Sequence, residues 1–141
     1  MPAKQGPIVL VEDDTDDQEL IAEVLGDIEV QNELRLFFNG KDALEYLKTT
    51  TEQPFIIICD INMPVMDGFQ FRHAIQVDDY LRSKSIPFVF LSTDASHPAV
   101  VRAYDLSVQG FFKKATSFDG LRSMLKLTID YWATCKHVNS K

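Results

Sequence analysis

The run Ile56-Ile57-Ile58-Cys59-Asp60-Ile61-Asn62-Met63-Pro64-Val65-Met66-Asp67-Gly68 decides the fold. Its apolar start has strand length, stops on a carboxylate, and passes at once into a turn rich in Met, Pro and Gly. Apolar side chains without alternation suit a strand buried on both faces, as in a parallel sheet covered by helices. Ligands of open α/β sheets sit beyond the carboxyl ends of the strands, which puts Asp60 at the functional edge. Upstream, Ile8-Val9-Leu10-Val11 ends on Glu12-Asp13-Asp14. Two acid-ended strands at one edge make an anionic pocket, which repels itself unless a proton or a divalent cation neutralises it.

Outward from these runs, strands and helices alternate. Pro7 to Val11 reads as the first strand, followed by a helix capped by Asp14 or Thr15, with Gly26 as its stop. Leu34 to Phe38 is a second strand, and Asn39-Gly40 opens a helix to Lys48. After Phe55 to Cys59, Asp67-Gly68 begins a third helix through Phe69, Phe71, Ala74 and Ile75. Phe88 to Leu91 is a fourth strand, and Pro98-Ala99 open a helix to about Leu106. Gly110 to Lys113 is a short fifth strand. Thr116 or Ser117 caps a last helix with Leu121, Met124, Leu125, Thr128, Ile129 and Trp132 on one stripe. Five strands alternating with five helices predict a doubly wound α/β fold with a five-stranded parallel sheet.

The chain has 141 residues, 45% of them hydrophobic, enough for one domain with its own core. Its formal net charge of −7 argues against nucleic-acid binding, which needs surplus Lys and Arg on phosphates. Cys59 and Cys135 form no metal-ligand spacing or disulfide framework, which suits a reducing, cytoplasmic setting. No signal-peptide pattern and no apolar run of membrane-spanning length is present, so no membrane association is expected. His73, His97 and His137 are isolated from one another and from Cys, so none reads as a ligand.

Four strand ends then resemble one family in their order: Glu12-Asp13, Asp60-x-x-Met-Pro-x-Met-Asp-Gly, Ser92, and Lys114. The chain is similar, from about Pro7 to Trp132, to the CheY-like receiver domains of two-component response regulators, of the free-standing single-domain type. The resemblance implies a flavodoxin-like (βα)5 fold with strand order 2-1-3-4-5. It also implies a single receiver domain over residues 1–141, with a core of about 7–134, a frayed tail at 135–141 and no output domain.

By the same resemblance, Asp60 is the phosphoacceptor. Glu12, Asp13, Asp60 and the backbone carbonyl of Asn62 hold Mg²⁺, which prefers oxygen ligands. Asp14, Asp16 and Asp17 fit better as helix-N-terminal acids favoured by the dipole, and receive no function. Lys114 and Ser92 contact the phosphoryl group. Their neighbours Lys113 and Thr93 are set aside on the family register counted from Gly110 and Pro87. Phe111 matches an aromatic switch that turns inward as Ser92 moves; a plain core or edge Phe is the equal alternative. Asn62 and Asp94 stand where chemotaxis-type receivers orient the water that removes the phosphoryl group, which implies brisk self-dephosphorylation. The family usually has a cis Pro after the active-site Lys, whereas Ala115 follows Lys114 here. A cis non-proline bond costs about 3–4 kcal/mol, so this loop either takes that cost or is built differently.

The expected donor is a sensor histidine kinase or a small donor such as acetyl phosphate. The expected output is a change in binding of a downstream protein or phosphotransfer protein through the fourth helix, fifth strand and fifth helix, where Val100, Tyr104 and Phe112 lie. Self-association is one form of that output. A Mg²⁺-dependent phosphohydrolase is disfavoured, because position 62 would have to supply an acid and is Asn. A flavin binder is disfavoured because Glu12-Asp13-Asp14 repels a phosphate. A phosphate-independent scaffold is at odds with the full set of acids, hydroxyl and Lys.

Overall fold

The computed structural model describes residues 6–136. Of the expected tail at 135–141, residues 137–141, with His137, lie outside the described residues. Among those described, five strands and six helices follow in the order β1 (Ile8–Val11), α1 (Thr15–Asp27), β2 (Leu34–Phe37), α2 (Gly40–Thr49), β3 (Ile56–Cys59), α3 (Gly68–Val77), α4 (Asp79–Ser83), β4 (Phe88–Ser92), α5 (His97–Asp105), β5 (Gly110–Lys113) and α6 (Phe118–Thr134). All strand pairs are parallel, and the sheet order is β2-β1-β3-β4-β5. This is the flavodoxin-like order that the resemblance implied.

Alternation along the strands builds two cores. Val9, Val11, Ile57, Cys59, Phe88 and Phe90 face the layer of α2, α3 and α5. Ile8, Leu10, Ile56, Ile58, Val89 and Leu91 face α1 and α6. β1, β3 and β4 are buried along their whole length, which explains why their sequences lack polar alternation.

Helix starts follow side-chain chemistry. Asp14 caps α1 by accepting from Asp17 N at 3.0 Å, and Ser117 caps α6. Asp67 and Gln70 form a reciprocal capping box at α3. Two expectations need correction. Gly26 does not stop α1: the helix runs to Asp27, and Glu29 with φ 60° makes the left-handed turn instead. The stretch after α3 also contains a sixth helix, α4, nucleated by Asp78 accepting from Leu81 N at 3.0 Å and anchored by buried Leu81.

The lower end of the sheet carries an unusual brace. Arg72 of α3 is 6% exposed. Its Nε donates to Leu106 O at 2.9 Å and Nη2 to Ser107 O at 2.8 Å, and its guanidinium lies 5.2 Å from the Phe88 ring centroid. A cation there satisfies carbonyls at the C-terminal end of α5 that the helix itself leaves open.

Candidate functional site: an acidic cluster with one lysine

The site forms where β1, β3, β4 and β5 end. Asp60 follows β3 directly, and its backbone N–H bonds Val11 O at 2.9 Å, so the β1–β3 ladder continues to the residue itself. Its Oδ1 accepts from Ile61 N at 2.8 Å, which fixes the carboxylate and turns Oδ2 toward Lys114. Gly68 makes this position possible. A Cβ there would lie 2.2 Å from Asp60 O and 2.8 Å from the Phe90 ring, so only glycine lets the start of α3 approach the end of β3 this closely.

One oxygen from each of Glu12, Asp13 and Asp60 lies within 4.8 Å of the others. Three carboxylates, one buried, one half-buried and one exposed, suit a hard divalent cation that takes oxygen ligands and keeps part of its water. Asn62 is exposed in the loop directly after Asp60 and Ile61, where its carbonyl belongs to the same turn. Burial pushes the Glu12 carboxyl up to about 7; its bond from Lys114 opposes this and the Asp60 charge adds to it.

Lys114 supplies the positive charge. Its Nζ donates to Glu12 Oε1 and, at 2.9 Å, to Asp17 Oδ2, and stands 3.9 Å from Asp60 Oδ2. Burial disfavours the charged ammonium, but the bonds to Glu12 and Asp17 outweigh it and hold the group above its ordinary range. Lys113 pairs with Ser92 in the ladder and is exposed, outside this cluster. No peptide bond among the described residues is cis, so Ala115 follows Lys114 through a trans bond and the loop is built differently from the family's usual one.

Ser92 is fully buried at the end of β4; its Oγ accepts from Asp94 N at 3.2 Å, and its carbonyl accepts from Lys114 N at 2.9 Å. Thr93 and Asp94 are exposed in the next loop. Phe111 is half-buried against Phe90, with ring centroids 6.0 Å apart. The geometry thus gathers Glu12, Asp13, Asp60 and Lys114 by direct distances, joins Ser92 to Lys114 through the backbone, and leaves Asn62 and Asp94 at the solvent rim. The residue that the sequence reading set aside as a plain helix-N-terminal acid, and that the structure places against Lys114, is Asp17. Its sequence signal, an acid in the first turn of a helix that follows an acidic strand end, is shared by Asp16, and only the tertiary register separates them.

The face of α5, β5 and α6 exposes Tyr104, Leu127 and Tyr131. A groove of about 490 Å³ runs there, with Phe112, Leu127, Tyr131 and Trp132 among its walls. Val100 and Phe112 are half-buried on that face.

Sheet order and acid-ended strands define a receiver-type α/β domain. The response regulator receiver domain model matches residues 8–126, and the chain belongs to that family. It is 30% identical over 130 residues to response regulator Rcp1 of Synechocystis, spanning 89% of this chain and 87% of that protein. The phosphorylated cyanobacterial phytochrome response regulator RcpA superposes with a TM-score of 0.85 at 28% identity, covering 95% of this chain and 99% of RcpA. The Mn²⁺-bound form of Rcp1 superposes with a TM-score of 0.79 at 27% identity, covering 94% and 98%. The chain is therefore a signalling domain of two-component systems, with an acidic cluster suited to a metal ion. No helix among the described residues is long and apolar enough to cross a membrane.

Proposed function

We propose that the chain accepts a phosphoryl group on Asp60 from the phosphohistidine of a sensor kinase, or from acetyl phosphate, in the cytoplasm. One observation carries the reading: Asp60 Oδ2 lies 3.9 Å from Lys114 Nζ, within a cluster of three carboxylates. An Asp60 oxygen attacks phosphorus in line. The new P–O bond forms as the P–N bond to histidine, or the P–O bond to acetate, breaks and the leaving group takes the electron pair. Mg²⁺ bound by Glu12, Asp13, Asp60 and the Asn62 carbonyl would supply charge neutralisation. Lys114 receives one phosphoryl oxygen as a point charge, and the Ser92 hydroxyl donates to another. Asn62 and Asp94 orient the water that later cleaves the acyl phosphate. Phe111 responds to the movement of Ser92, and the α5–β5–α6 face then changes its affinity for a downstream protein, a phosphotransfer protein or a second copy.

The test is intact mass after incubation with acetyl phosphate and Mg²⁺. Wild type gains one phosphoryl group and Asp60→Asn gains none; EDTA abolishes the gain. A gain on Asp60→Asn would remove Asp60 from this role. Self-dephosphorylation is brisk, and a lifetime of many hours in Mg²⁺ would exclude the roles given to Asn62 and Asp94.

A further inference from the structure

Lys114 has one charge, and the structure divides it among three carboxylates in an uneven way. Glu12 and Asp17 accept its hydrogen bonds, whereas the 3.9 Å separation from Asp60 Oδ2 is too long for one. Asp17 differs from the other two acceptors. It is not part of the Glu12, Asp13 and Asp60 group that suits a metal, and it sits on helix α1 rather than at a strand end. Its own N–H is used by Asp14, so its backbone is held in place by the helix cap. A divalent ion would draw on Glu12, which leaves Asp17 as the carboxylate that still pulls Lys114 away from Asp60.

We propose that Asp17 is a positioning residue that holds the Lys114 ammonium off Asp60 in the unphosphorylated protein and competes with the phosphoryl group for it. The proposal rests on the phosphoacceptor reading of Asp60. Its logic is a partner exchange. A phosphoryl group brings three acceptor oxygens and up to two negative charges, and Lys114 must leave Asp17 to meet them. The Lys114–Asp17 bond stabilises only the starting state, so it sets a threshold for the phosphorylated one. Asp17 is 41% exposed on its side chain, and solvent screening keeps that threshold to a few-fold.

Beryllofluoride, a phosphoryl mimic, gives a readout separate from turnover. Binding to the full chain in saturating Mg²⁺ is followed by ¹⁹F resonances and calorimetry. Asp17→Asn is expected to bind beryllofluoride roughly threefold to fivefold more tightly than wild type. Asp17→Glu restores a carboxylate and returns affinity toward the wild-type value. Asp16→Asn removes the same charge from the same helical turn, where the side chain is exposed and is not among the carboxylates paired with Lys114. It is expected to change affinity by less than half as much. Equal effects of Asp16→Asn and Asp17→Asn would reduce Asp17 to a general charge effect and overturn the proposal, as would unchanged or weaker binding in Asp17→Asn. Failure of the wild type to bind the mimic would instead overturn the phosphoacceptor reading, and this inference with it.

Discussion

At the residue scale, the site is built by groups whose roles depend on one or two atoms. Asp60 was legible from sequence because an apolar strand that ends on a carboxylate is a local pattern. Lys114 against Lys113 needed the strand register, and Asp17 needed the tertiary contact that brings the first turn of α1 to the residue after β5, which no local pattern encodes. Val65 shows the opposite case, a local pattern that hides a cost. It has φ 69° and is 75% exposed, in the loop between β3 and α3. A β-branched residue in the left-handed region costs about 1–3 kcal/mol. Glycine removes that cost and adds back part of it as unfolded-state entropy. Val65→Gly is therefore expected to raise stability by about 1 kcal/mol, seen as a Tm increase of about 3 °C. A lower Tm would mean that the exposed side chain makes a contact that offsets its backbone strain.

At the element scale, strands were easier to read than helix ends. β1, β3 and β4 are continuous apolar runs because both of their faces are covered. Gly26 misled because its surroundings are open: nothing lies within 4 Å of where a Cβ would sit, so the helix carries it without using its freedom. The five residues of α4 are too few to show helical periodicity, and one buried Leu81 holds them. Gly68 is where element packing and chemistry meet. Gly68→Ala forces a methyl group onto the Asp60 carbonyl and the Phe90 ring. The expected cost is about 1–3 kcal/mol, and more if the backbone does not yield. Phosphorylation by acetyl phosphate should fall even at temperatures where the variant stays folded, because relief of the clash moves Asp60. A variant with wild-type loading and wild-type Tm would show that α3 shifts without disturbing β3.

At the scale of the whole molecule, the acidic edge links folding, protons and metal. Glu12 is buried, and its carboxyl is pushed up to about 7 from an ordinary 4.5. The raised value means that folding favours the protonated form. That contribution to stability is complete below about 4.5 and is lost as the pH rises through about 7. A divalent cation requires the charged form, so its binding releases a proton over the same range. Mg²⁺ affinity is expected to be about tenfold weaker near pH 6 than near pH 8, with a plateau above. The gain in Tm at fixed Mg²⁺ should follow the same curve. An affinity that is flat across this range would show that Glu12 is already ionised in the folded protein.

The brace at Arg72 gives α5 the mechanics of a lever. Its far end is fastened through Leu106 and Ser107, while its near end follows the loop after Ser92. Nine residues of helix span about 13 Å, so a push of about 1 Å at the near end becomes a tilt of about 4° about the fastened one. The pivot turns a short local displacement into a change of angle on an outer surface, and the side chains that feel it most are those farthest from Arg72.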